Sequence, residues 1–164
     1  MPIALDYYIS SISSSTYGQG DAGKIAIDTQ HLGKILLSNR GLITSRIATD
    51  GVGNGGDLSI SATSIDLSNS SFITSTNSSN QGATGNVTLS TDRVTLNNSG
   101  ISSESTGTSG GNLQFNLSDL LLMRNTSTIS TTSGSTLQNG NGGNITISSP
   151  LIIATPGNND ISNR

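Results

Sequence analysis

Apolar residues along this chain come in short alternating runs, separated by Ser, Thr or Asn, and the runs recur. The clearest begins after a glycine-rich turn, as in Gly53-Asn54-Gly55-Gly56-Asp57-Leu58-Ser59-Ile60 and Gly140-Asn141-Gly142-Gly143-Asn144-Ile145-Thr146-Ile147. Further copies are Gly20-Asp21-Ala22-Gly23-Lys24-Ile25-Ala26-Ile27, Gly82-Ala83-Thr84-Gly85-Asn86-Val87-Thr88-Leu89 and Gly110-Gly111-Asn112-Leu113-Gln114-Phe115. A second run, aliphatic-x-aliphatic-x-Asn, follows as Ile35-Leu36-Leu37-Ser38-Asn39, Ile65-Asp66-Leu67-Ser68-Asn69, Val94-Thr95-Leu96-Asn97-Asn98 and Leu121-Leu122-Met123-Arg124-Asn125. A third run closes each copy: Ile43-Thr44-Ser45, Ile73-Thr74-Ser75, Ile101-Ser102-Ser103 and Ile129-Ser130-Thr131.

Alternation of this kind is the period of a strand with one buried face, and no window of ten residues offers the three-and-four spacing of a helix. The Asn slots stand 30, 29 and 27 residues apart, and degenerate copies with Tyr7 and Thr155 in the slot add gaps of 32 and 30. One repeat is therefore three short strands joined by polar turns. Such a coil cannot bury its own few aliphatics, so coils must stack. The pattern predicts an all-β fold, a parallel β-helix (solenoid) of about five coils of 27–32 residues with three short strands per coil, running as one segment over 1–164. Stacking places Leu67 between Leu37 and Leu96, and a rise of about 4.8 Å per coil gives a rod roughly 24 Å long.

The turn slots carry the next expectations. Asn39, Asn69, Asn98 and Asn125 share the parity of the inward aliphatics, which predicts a ladder of stacked amides pointing into the turn. The competing reading is that Asn there simply tolerates a left-handed backbone. Gly23, Gly56, Gly85, Gly111 and Gly143 mark the repeated turn. Insertions vary at 30–34, 46–52, 76–81, 104–109 and 132–139, the polar loops on which a binding surface arises most easily. The pattern starts and breaks off inside a repeat, so a segment of a longer repeat protein is expected.

Composition sharpens this picture. Only 31% of residues are hydrophobic and 3% aromatic, a polarity that can signal disorder; yet charged residues are 10% and the net charge is −3, which argues against charge-driven disorder. There is no cysteine, hence no disulfide scaffold and no thiolate metal site. No apolar run approaches the roughly 18 residues of a membrane helix, and no basic segment leads into an apolar one at the amino terminus. Seven scattered Lys and Arg with a pI near 4.7 leave no nucleic-acid footprint.

Parallel β-helices also house polysaccharide lyases and hydrolases, whose chemistry needs carboxylates, or a carboxylate with Arg or Lys, gathered at one sugar bond. Asp92-Arg93 and Asp119 fall at nearly matching slots of neighbouring coils and are the best candidate group, although a turn Asp beside a solvated Arg is the simpler reading. A serine triad would need His31, the single histidine, and there is no Gly-x-Ser-x-Gly elbow to present a nucleophile. Gly53-Asn54-Gly55-Gly56-Asp57 has the look of a calcium-binding turn, but such repeats need the Asp in tandem, and here Asn or Lys takes its place in the other copies. Thr44, Thr74, Ser102 and Ser130 share one outward slot and form a hydroxyl array of the ice-binding kind, interrupted by Arg46 and Glu104. Asn-x-Ser/Thr triplets such as Asn86-Val87-Thr88 are a by-product of composition. Neither a cofactor nor a metal is expected.

The phrases at 53–60 and 140–147, with Ser149-Pro150-Leu151-Ile152-Ile153-Ala154-Thr155-Pro156, resemble filamentous haemagglutinin-type exoproteins, above all the large cyanobacterial surface proteins of this kind. The resemblance extends most clearly from Gly20 to Ile161. It implies a right-handed β-helix exported by a two-partner pathway, with an outer-membrane transporter as partner. It further implies a place on the cell surface or outside it, a role as adhesin or surface filament with a glycan or cell receptor as ligand, and no catalytic residues. No signal peptide and no amino-terminal secretion domain of that family is visible in these residues.

Overall fold

The structure is a computed structural model and describes residues 3–5, 11–29, 32–69, 72–77, 82–106, 109–135 and 138–164. Every regular element among them is a strand, and the strands form a parallel β-solenoid of about five turns. An eight-stranded sheet carries the first two runs of each repeat. Its path is Ile3–Leu5, Lys34–Leu37, Leu58–Ser68, Val87–Asn97, Leu113–Arg124 and Ile145–Ser148, with Ile25–Asp28 and Leu151–Ala154 alongside. A seven-stranded sheet carries the third run: Ser11–Thr16, Leu42–Ile47, Phe72–Asn77, Gly100–Ser105, Thr128–Ser135 and Asp160–Asn163, plus the two-residue strand Gln138–Asn139. Pairing is parallel throughout, save for that short strand, which returns antiparallel on Thr128–Ser135.

In the outer coils the first two runs remain separate strands, as the sequence spacing predicts. In the three coils between, they join into single strands of 11 or 12 residues, whereas in the last coil Pro150, which has no N–H to give the ladder, stands between them. Tyr7, whose slot extends the repeat, and His31 lie outside the described residues.

Parallel stacking puts each slot directly over its own copy in the next coil. Leu67 pairs with Leu37 on one side and Leu96 on the other. Ile60, Leu89 and Phe115 form one inward column, and Ile43, Ile73, Ile101 and Ile129 another. These side chains are almost wholly buried. Each buried aliphatic contributes about 1.5–3 kcal/mol, which no single coil could gather alone. Phe72 has the opposite parity: it lies outside, 40% exposed, and its ring covers Gly100.

Inside the turn runs a second column, made of peptides and hydroxyls. Ser75 donates its Oγ hydrogen to the Gly56 carbonyl (3.1 Å) and accepts the Gly85 N–H (3.0 Å). Ser45 does the same between Gly23 and Gly56, and Ser103 between Gly85 and Gly111. Thr131 donates to the Gly143 carbonyl at 2.8 Å. All four hydroxyl side chains are buried, and so are the peptides they meet at Gly56, Gly85, Gly111 and Gly143, whereas Gly23 at the end of the column is exposed. The glycines are required by closeness, because a Cβ on Gly56, Gly85, Gly111 or Gly143 would overlap the carbonyl of the glycine one coil below. On Gly23 it would meet the Ser14 hydroxyl.

Two consequences are measurable by chemical unfolding. Ser75→Ala leaves a buried N–H and a buried carbonyl without this partner, and is expected to cost about 1–3 kcal/mol. Gly85→Ala forces two coils apart and is expected to cost as much or more. Gly18→Ala, at a site where a Cβ meets nothing within 4 Å, should stay within about 0.5 kcal/mol of the parent.

Candidate functional site

The joint between the first two runs is a corner. Ala62 pairs with Thr91 and Ser64 with Arg93, so the ladder skips Thr63 and Asp92. In the next coil Leu117 pairs with Thr91 but Leu120 with Arg93, which sets two residues, Ser118 and Asp119, against Asp92. Such a bulge turns side chains away from the regular pleat. Here it brings the Asp119 carboxylate to 2.8 Å from the Arg93 guanidinium, and the Ser118 hydroxyl donates to Asp92 Oδ1 at 2.6 Å. Lys34, Asp66, Asp92, Arg93 and Asp119 thereby line one open groove of about 320 Å³. The group expected from matching slots is assembled in space.

What the groove can do follows from its pairing. Asp119 holds Arg93, and the hydrogen bond and charge of Asp119, with a smaller push from Asp66, raise the arginine above its ordinary value. Ser64 donates to Asp66 at 3.2 Å. Four of the groove's charged side chains, Asp66, Asp92, Arg93 and Asp119, therefore bond across coils or to a neighbour two residues away. Arg93 and Asp119 are about half exposed, so solvent screens their pair and its energetic weight is small. The arrangement clips adjacent coils at a corner where the backbone ladder is interrupted.

The Asn slot departs from expectation. Asn39, Asn69, Asn98 and Asn125 all have positive φ, between 51° and 55°. The left-handed turn interrupts strand alternation and carries the amides outward, so Asn69, Asn98 and Asn125 are exposed and Asn39 is half-buried. Asn69 donates to Asn39 Oδ1 at 3.3 Å, whereas Asn125 reaches Asn97 at 2.7 Å. The inward direction is corrected: these are left-handed corner residues with their amides toward the rim, where Asn69 and Asn39 make one rung of the expected ladder.

A longer ladder runs in the glycine-rich turn. Asn86 donates both its backbone N–H (3.0 Å) and its Nδ2 (3.2 Å) to Asp57 Oδ1. Asn112 does the same to Asn86 Oδ1 (2.9 and 3.1 Å), and the Asn144 N–H follows on Asn112 Oδ1 at 2.9 Å. Lys24 closes the lower end on Asp57 Oδ2 at 2.9 Å. Asp57, the candidate calcium ligand, is thus committed to N–H donors. Among the described residues no three His, Asp or Glu gather closely enough to hold a metal. The Lys/Asp/Asn slot was visible in the repeated phrases. The buried serines showed as hydroxyls at the parity of the inward isoleucines.

Thr44, Thr74, Ser102 and Ser130 do stack in one outward column, with Ser13 and Ser162 at its ends. Thr74 and Ser102 bond each other at 3.0 Å, and Thr44 and Ser102 are pressed between neighbouring columns. Comparison of the chain with protein-family models, curated proteins and solved structures returns no match.

The N–H of Asn86 and then the Lys24 ammonium hold the Asp57 carboxyl below its usual range. That interaction stabilises the folded chain above the ordinary carboxylate pKa and is lost as pH falls through the lowered value. Thermal unfolding of Asp57→Asn and parent should therefore differ most near neutrality, and the gap should close in acid. A gap constant with pH would rule the charged interaction out.

Proposed function

We propose that this chain is a structural and adhesive rod, a repeat segment of a secreted or surface-exposed protein of the filamentous haemagglutinin kind, and that it acts without catalysis. The observation that carries this reading is the column of stacked glycines bridged by Ser45, Ser75 and Ser103. It ties each coil to the next through buried hydrogen bonds, which suits a stiff spacer that holds outward side chains at a fixed spacing. The charged groove supports the same reading, since Arg93 with Asp119 and Ser118 with Asp92 direct their bonding across coils. Export through an outer-membrane transporter, and a surface location, belong to this proposal on the strength of the repeat phrases at 53–60 and 140–147.

A carbohydrate-active enzyme is the second reading, favoured by the meeting of Asp92, Arg93 and Asp119 in one groove. Beads coated with the purified chain, placed under flow on films of acidic and neutral polysaccharide, separate the two. The adhesive reading expects retention of the beads and no new reducing ends. Absence of retention on every film would defeat it. Release of reducing ends that disappears with Asp92→Ala would replace it with the enzyme.

A further inference from the structure

The outward face of the second sheet holds another groove, of about 370 Å³, across the strands Ser11–Thr16, Leu42–Ile47 and Phe72–Asn77. Its floor is hydroxyl. Ser13, Thr44 and Thr74 form one row along the rod, and Ser15, Arg46 and Thr76 the row beside it. Tyr17 continues the outward parity of Ser13 and Ser15 just past the strand end, and 72% of it is exposed. Phe115, by contrast, is wholly buried.

Arg46 is the one charged residue lining this groove, and it too is exposed. Lys24 and Arg93 each have a carboxylate within 3 Å, yet no carboxylate among the described residues lies in ion-pair range of Arg46. An exposed guanidinium, an open aromatic face and rows of hydroxyls at strand spacing thus converge on one concave surface of a chain whose net charge is −3.

The geometry points to a binding site for an acidic saccharide, a short chain of sugar rings bearing carboxylate or sulfate. The Tyr17 ring offers an apolar face for the C–H face of a pyranose while its hydroxyl stays in water. Arg46 presents a planar fork of donors that matches a carboxylate or sulfate in two parallel hydrogen bonds. Ser13 and Ser15, which share one hydrogen bond of 2.9 Å, and Thr76 supply hydroxyls that both donate and accept, as sugar hydroxyls require. An ice lattice fits poorly, because Tyr17 and Arg46 rise from the hydroxyl plane. The site lies on a different sheet from the Arg93–Asp119 groove and uses none of its residues.

This inference deepens the adhesive reading and rests on it for its purpose; binding itself is tested separately. Tetragalacturonate and its methyl ester share one sugar backbone and differ in charge, so titration of each into the full chain, followed by calorimetry or amide chemical shifts, isolates the role of Arg46. The acid is expected to bind about tenfold more tightly than the ester, the span of one charge-assisted hydrogen bond. Arg46→Gln should erase that preference, and Tyr17→Ala should weaken both ligands about fivefold. Both side chains are exposed, so the unfolding midpoint should not move in either variant. Equal binding of acid and ester would overturn the acidic assignment. Absence of binding, or affinities untouched by both substitutions, would overturn the site. If coated beads hold to polysaccharide while tetragalacturonate does not bind, this groove fails and the adhesive reading stands. If tetragalacturonate binds while the beads are not retained, the groove stands and the adhesive reading fails.

Discussion

The rise from one coil to the next, about 4.8 Å and set by backbone hydrogen bonds between parallel strands, is the constraint on which the rest of this molecule depends. At that spacing every side chain lies against its own copy, so the unit that must be compatible is the slot. Aliphatic slots satisfy the condition trivially and give the inward columns through Leu67 and Ile73. The turn slot satisfies it only with glycine, because the peptides of Gly56 and Gly85 approach within the space a methyl would need. Hydroxyls then fit between the peptides as donor and acceptor at once, which a single Ser Oγ can do and an aliphatic group cannot.

The same constraint explains which polar slots are charged. Carboxylates stacked at strand spacing would repel in every coil. In the glycine-rich turn the slot accordingly runs Lys24, Asp57, Asn86, Asn112, Asn144: a compensated pair, then neutral amides that donate and accept. At the corner of the first sheet Arg93 finds Asp119 in the neighbouring coil through a register shift, with no like charge above it.

These relations also decide how much could be read from the sequence. Period, strand order and inward columns were legible, since alternation and repeat length fix them without coordinates. The side of the Asn slot was not, because parity counts only while the backbone stays extended, and Asn69 and its copies leave it at φ near 55°. The closeness of Arg93 and Asp119 was half legible: matching slots suggested it, while the bulge that aims Asp119 emerges only when both ends of the strand pairing are known. Ser75 was written in the sequence as a polar residue at an inward position. Its meaning required the glycine peptides that it bridges.

A solenoid built from repeated slots presents repeated chemistry, so a singular site must come from a break in the repetition. Two grooves of this chain follow that rule in different ways. At the bulge the irregularity is absorbed, since Asp119 and Ser118 bond back to the coil before. On the second sheet it is left open: Arg46 stands between Ser15 and Thr76 in a row otherwise short and uncharged at that end, and Tyr17 projects where its strand stops. The interior has no freedom to host such exceptions, because a change in one coil must fit the coils on either side. Only outward slots can differ from their copies without disturbing the stack, so the exceptions stand on the faces of the rod while the core stays uniform.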